Sequence, residues 1–181
     1  MRSHRLRMPA RFPAALILSL GLATLAPPAA RADDAQTQRG KYIVSVAGCG
    51  DCHTPGTFIG KPDPTRFLGG SDVAFEIPGL GAFAGANITP DMETGIGKWT
   101  PEQIIAAFQT GVTPAGKILA PIMPWKDFAN LSPDDAMAVA MYLKSIPPVS
   151  QKVPGPFKPG DKTTMLMYRI LPPGETVASQ P

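Results

Sequence analysis

Eighteen glycines and twenty-two prolines are spread along 181 residues, and they constrain the fold more than any other feature. A proline inside a helix removes a backbone hydrogen bond and clashes with the preceding turn, and a glycine there costs conformational entropy. Such a chain has few long helices or strands to pack against one another. Apolar volume must come from elsewhere, and a bound macrocycle would supply it.

The first residues read as an address. Arg2, Arg5, Arg7 and Arg11 lie in a stretch without acids, an apolar run follows from Phe12 to Ala26, and Ala30-Arg31-Ala32 closes it. These are the charged, apolar and small-residue regions of a secretory signal. The run is interrupted by Gly21, ends at Pro27-Pro28, and is shorter than the roughly 20 residues a membrane span needs. No cysteine follows it closely enough to take a lipid. Cleavage is expected after Ala32, which makes residues 1–32 the signal and leaves an exported, periplasmic chain of 149 residues without a retained span. That length suits one domain, and 35 of its residues are glycine or proline. Five of the 17 bases belong to the signal, so the remainder holds 12 bases against 14 acids, a formal balance of −2. No basic tract is left to attract nucleic acid.

Three helices are legible. The first runs from about Asp34 to Ala47, with Tyr42, Ile43, Val44 and Val46 as its apolar surface. The second opens on a capping box, with Thr100 as N-cap, Pro101 in the first turn and Gln103 three residues on. It buries Ile104, Ile105 and Phe108 and closes at Gly111. The third has Ser132 as N-cap and Pro133 next, carries Met137, Val139, Ala140, Met141 and Leu143, and stops before Pro147-Pro148. No run alternates well enough to be assigned as a strand. The fold class expected is therefore all-α. Residues 54–98 form a long Gly/Pro-rich loop, which is reasonable only if it wraps a cofactor. The domain extends over residues 33–150, and residues 151–181 are a Pro-rich arm on its surface.

Cys49-Gly50-Asp51-Cys52-His53 has the spacing of covalent haem attachment. Two thiols separated by two residues at a helix end can each add to one vinyl group of a porphyrin, and the next imidazole then projects toward the iron. A thioredoxin-like dithiol needs a strand before its cysteines, and the segment here follows a helix. Structural zinc needs four ligands, and past the signal the only Cys and His residues are Cys49, Cys52 and His53. One haem c, held by Cys49 and Cys52 with His53 on the iron, is the cofactor expected.

Elimination narrows the second axial position. His4 leaves with the signal, so methionine is the natural partner. Met137 and Met141, at i,i+4 on the third helix, read as core fillers. Met165 and Met167 fall in the arm, and Met92 in a polar stretch. Met123 lies in Pro121-Ile122-Met123-Pro124-Trp125, where two prolines lower the entropy lost on holding its sulfur at a metal. The alternative is a loop methionine packed on an aromatic. His53 and Met123 together would make the Met/His pair of electron-transfer haems, whose soft thioether raises the reduction potential.

These motifs, in this order across about Gln38 to Pro173, resemble the class I cytochrome c family. A narrower likeness is to monohaem cytochrome c domains in the cytochrome subunits of bacterial alcohol, aldehyde and molybdenum-hydroxylase dehydrogenases. It rests on Ala86-Asn87-Ile88-Thr89-Pro90-Asp91, Thr94-Gly95-Ile96-Gly97-Lys98-Trp99-Thr100, Pro121-Ile122-Met123-Pro124 and Val153-Pro154-Gly155-Pro156-Phe157. The resemblance implies three main helices and long loops around one covalently bound haem, with His53 and Met123 as axial ligands. It implies that Gly40 lets the first and third helices approach near Tyr142, and that Asn87 and Trp99 lie close to the haem propionates. From the residues alone, Trp99 can equally be core, its indole N–H needing only some acceptor. Many such subunits carry three haem motifs, and this chain has one.

The function implied is single-electron transfer by a carrier with no catalytic residue. Its donor would be a periplasmic dehydrogenase and its acceptor an oxidase or another cytochrome. The alternatives are a haem enzyme, peroxidase-like or sulfur-oxidising, and a structural cytochrome subunit of a dehydrogenase complex. Lys61, Lys98, Lys117 and Lys126 are candidates for a docking rim around the haem edge.

Overall fold

The structure, a computed structural model, describes residues 29–170 and 173–174. The signal assigned to residues 1–32 lies almost wholly outside the described residues. Five helices are described: α1 (Ala29–Val46), α2 (Cys49–His53), α3 (Pro101–Thr110), α4 (Trp125–Phe128) and α5 (Pro133–Ser145). Three strands accompany them: β1 (Val73–Ile77), β2 (Gly81–Ala84) and β3 (Leu166–Tyr168).

The helix signals hold where they are local. Thr100 Oγ1 accepts from Gln103 N, the Gln103 side chain accepts from Thr100 N, and Gly111 caps α3 in the left-handed region at φ 73°. Ser132 accepts from Asp135 N and Pro133 opens α5. These bonds satisfy donors that a helix start otherwise leaves unpaired.

The core lies where α1, α3 and α5 meet, built from Ile43, Val44, Ile104, Phe108, Val139, Tyr142 and Leu143 among others. The α1–α5 crossing is tight. A Cβ added at Gly40 would stand 1.9 Å from Ala138 O and 2.8 Å from Tyr142 Cβ, so only glycine admits this approach, as the resemblance implied. Arg39 closes the crossing with a two-pronged pair to Asp135, at 2.7 and 3.1 Å, and lies over the Tyr42 ring. The first helix was expected to bury four apolar residues. It buries Ile43 and Val44, while Tyr42 and Val46 are 58% and 64% exposed. Met137 and Met141, expected as core fillers, are half-buried.

The fold is not all-α. The expected loop contains two 3₁₀ turns, Thr57–Ile59 and Pro64–Arg66, and an antiparallel hairpin in which Phe75 pairs with Phe83. The arm supplies the third strand: β3 pairs parallel with β1, Val73 opposite Leu166, giving the order β2-β1-β3. Periodicity misses this sheet for a physical reason. In β1 the residues Val73, Ala74 and Phe75 are all buried, so the central strand shows no in–out alternation, and its partner β3 is three residues long. Phe58, Phe75 and Tyr168 cluster over the sheet, Phe58 edge-on to Phe75 at 5.0 Å and Tyr168 at 5.5 Å from Phe75. Arg169 pairs with Glu76 beside them.

Among the described residues, no helix is long and apolar enough to cross a membrane.

Candidate haem site

Gly48 makes the site possible. Its φ of 66° is left-handed, a conformation glycine adopts without steric cost, and it turns the chain from α1 directly into α2. In that five-residue helix Cys52 follows Cys49 by three positions and His53 by four. These spacings bring the two thiols and the imidazole onto one helical face.

Both cysteines are free and part-buried. Burial pushes the Cys49 thiol up to about 11, and Cys52 is raised by burial and by Asp51. Dithiol catalysts instead stabilise a thiolate with a lowered pKa, so this environment is the reverse of a thioredoxin-like one.

His53 is 8% exposed. Its Nδ1 lies 2.6 Å from Ala86 O, which makes Nδ1 the protonated nitrogen. Nε2 makes no hydrogen bond among the described residues and is left for a metal. Burial pushes the imidazole pKa down, against the raising effect of the Ala86 bond. The neutral ring is the form that ligates.

The surroundings are closely fitted. Gly85 backs onto α2, where an added Cβ would stand 1.8 Å from Cys52 O and 3.4 Å from His53 Nδ1. Gly70 N donates to His53 O at 2.8 Å, and Leu68 N donates to Thr54 Oγ1 at 3.1 Å. Leu68 is fully buried with a φ of 59°, a strained position for a branched residue and of order 1 kcal/mol or more. Its carbonyl accepts from Ile88 N, so it ties the segment after His53 to the segment carrying Ala86. Sequence reasoning missed Leu68, Gly85 and the Ala86 carbonyl. A backbone acceptor leaves no side-chain signature, and the strain at Leu68 follows from tertiary contacts.

Met123 is half-buried in the turn before α4, with its N–H donating to Ala120 O and its carbonyl accepting from Trp125 N. It packs on the same core cluster as Cys49, Ile88, Trp99 and Ile105. Trp99 is half-buried, its carbonyl and that of Gly97 held by Lys144 Nζ at 3.1 and 2.6 Å. Its indole N–H makes no hydrogen bond among the described residues. Asn87 is buried and committed: its amide donates to Thr94 Oγ1, Val149 O and Gln151 O, and its carbonyl accepts from Thr89. Lys61, Lys98, Lys117 and Lys126 are all exposed. Lys98 pairs with Glu93, and Lys126 lies over the Trp125 ring. A groove of about 610 Å³ between α1, Asp51, Phe67 and Tyr142 is lined by none of Cys49, Cys52, His53 or Met123.

The donor set fits haem c. Two protonated thiols on one helical face can add to vinyl groups, a buried neutral imidazole with its far nitrogen tied can hold iron, and apolar side chains surround the thiol at Cys49. Among the described residues no group of three or more His, Cys, Asp or Glu is placed to hold a metal ion.

No protein-family model matches the chain. Curated proteins do. It is 36% identical over 120 residues to the cytochrome c subunit of alcohol dehydrogenase (quinone) from Gluconobacter oxydans (strain 621H), covering 66% of this chain and 23% of that subunit. It is 35% identical over 139 residues to the gluconate 2-dehydrogenase cytochrome c subunit of Pantoea cypripedii, covering 75% and 30%. It is 29% identical over 115 residues to a diheme cytochrome c-type protein of Cereibacter sphaeroides, covering 62% and 37%. The chain thus spans less than a third of the length of the first two relatives. With the attachment motif on one face of α2 and its histidine tied through Nδ1, the chain is a c-type cytochrome related to the cytochrome c subunits of bacterial dehydrogenases.

Proposed function

We propose that this chain is a single-haem electron carrier of the periplasm, taking electrons one at a time from a dehydrogenase and passing them to an oxidase or another cytochrome. The observation that carries the reading is the common face of Cys49, Cys52 and His53 on α2, with Nδ1 of His53 committed to Ala86 O. Haem c, when bound, supplies a one-electron Fe(III)/Fe(II) couple. The chain's own residues would anchor it through the two cysteines and orient the ring of His53 through Ala86, with the core cluster on which Cys49, Ile88 and Ile105 pack offering it apolar surface. Met123, held between Pro121 and Pro124 against the same cluster, is the residue we assign with His53 to hold the iron, and its thioether would favour the reduced state. With His53 and Met123 both holding the iron, no coordination site would be left open to oxygen or peroxide. We assign the propionate contact to Trp99, whose indole N–H makes no hydrogen bond among the described residues, and not to Asn87, whose side chain is committed to Thr89, Thr94, Val149 and Gln151.

Replacing Met123 tests the assignment. Met123→Ala should abolish the weak charge-transfer absorption of sulfur bonded to Fe(III) and lower the reduction potential. An unchanged spectrum would remove Met123 from the iron. Carbon monoxide separates the carrier from a haem enzyme. The wild type should bind it poorly at neutral pH, whereas ready binding would favour a catalytic haem with an open site.

A further inference from the structure

After α5 the chain turns back and lays Val149–Gln151 along the segment that carries the His53 acceptor. Asn87, next to Ala86, is 3% exposed. Its amide donates to Val149 O at 2.6 Å, to Thr94 Oγ1 at 3.0 Å and to Gln151 O at 3.3 Å. Its carbonyl accepts from Thr89 N and Thr89 Oγ1 at 3.0 and 2.7 Å. The returning segment reciprocates, with Val149 N donating to Thr89 Oγ1 and Gln151 N to Thr94 Oγ1, both at 3.0 Å. On the other side, the side chains of Val149 and Val153 occupy the space that a Cβ would need at Gly69 and Gly70. Gly70 N in turn bonds His53 O. The segment after α5 therefore reaches His53 along two routes, one ending on its ring and one on its backbone.

We propose that this segment, residues 149–153, is a strap that positions the proximal histidine: through Asn87 it holds the Ala86 carbonyl against His53 Nδ1. The inference rests on reading His53 as an axial ligand of haem iron. An N–H···O=C bond to the far nitrogen of a ligating imidazole fixes its orientation and raises its basicity. A more basic imidazole stabilises Fe(III). A buried network with every member satisfied keeps that acceptor in place, and loosening it lets the ring donate less, which favours Fe(II). Asn87, Thr94 and the backbone of Val149 and Gln151 are positioning groups in this scheme, since none of them touches the iron.

The test uses the full haem-loaded chain, with redox titration for the potential and proton NMR for solvent exchange of the His53 Nδ1 hydrogen. Asn87→Ala and Thr94→Val should each shift the equilibrium toward Fe(II) by about threefold to tenfold, tenfold being 59 mV for a one-electron couple, and should speed that exchange. Tyr168→Ala, which loosens the far end of the arm on β3, should alter neither. If Asn87→Ala fails to retain haem, Thr94→Val decides alone. Unchanged potential and exchange in the variants that retain haem would overturn the strap, as would an equal shift in Tyr168→Ala. A haem spectrum unaltered by His53→Ala would refute the ligand reading, and the strap with it, and is distinct from unchanged potentials.

Discussion

Gly40→Ala should destabilise the protein, although glycine to alanine inside a helix ordinarily does the opposite by about 1 kcal/mol. The new Cβ would stand 1.9 Å from Ala138 O, and ordinary contact begins at 3.4 Å. Along that line α1 and α5 must part by about 1.5 Å, since neither obstacle is a flexible side-chain end. A gap of 0.5–1 Å already forfeits about a quarter to a half of a van der Waals well. Ile43, Val44 and Val139, at 7%, 1% and 6% exposure, belong to the core along this crossing, and burying each is worth about 1.5–3 kcal/mol. Losing half of that across the three, about 2–4.5 kcal/mol, less the helix-propensity gain of about 1 kcal/mol, leaves a net cost of about 1–3.5 kcal/mol, centred on about 2–3 kcal/mol. For a domain of this size that is a fall in Tm of roughly 5–10 °C. Urea denaturation of the haem-loaded protein, followed by the fluorescence of Trp99 and Trp125, measures it. An unchanged or raised midpoint would refute the claim that the backbones meet at Gly40.

Two further changes isolate local features. Thr100→Ala deletes the acceptor for Gln103 N at the start of α3 and should cost about 1 kcal/mol, read as a lower urea midpoint together with faster hydrogen exchange in the first turn of α3. Asp63 accepts from Thr65 and Arg66, which hold its carboxyl down at about 2. A folded pKa below the unfolded value of about 3.9 gives stability that is present above pH 4 and lost as pH falls toward 2. The stability gap between wild type and Asp63→Asn should therefore be full at neutral pH and shrink through that window in denaturation midpoints. A gap that stays constant would contradict the linkage.

Much of the helical frame was legible because its signals are local. Thr100-Pro101 with Gln103, and Ser132-Pro133, specify their own helix starts through bonds made within one turn. The spacing of Cys49, Cys52 and His53 is likewise short-range. The sheet was not legible, because β1 is buried on consecutive residues and its parallel partner lies in the arm, brought there by tertiary contacts alone. One sheet signal was present and missed. Pro78-Gly79 sits in a turn closed by Leu80 N on Ile77 O, with Gly79 at φ 78°, the chemistry of a type II turn between two short strands. Tyr42 and Val46 show the converse, apolar residues on a helix face that none of the described elements covers. The site divides the same way. Its covalent and axial candidates are side chains and could be named, whereas the Ala86 carbonyl that orients His53 is backbone, and Asn87 meets Val149 and Gln151 only because the chain doubles back.

The central claim is that haem is bonded to Cys49 and Cys52, and the intact mass of the purified protein, expressed with its export and haem-attachment machinery, tests it most directly. The wild type should carry the mass of one haem that survives acid-acetone extraction, and its cysteines should resist alkylation. The double variant Cys49→Ala, Cys52→Ala should carry none. A wild-type chain at its unmodified mass, with both thiols open to alkylation, would contradict the account.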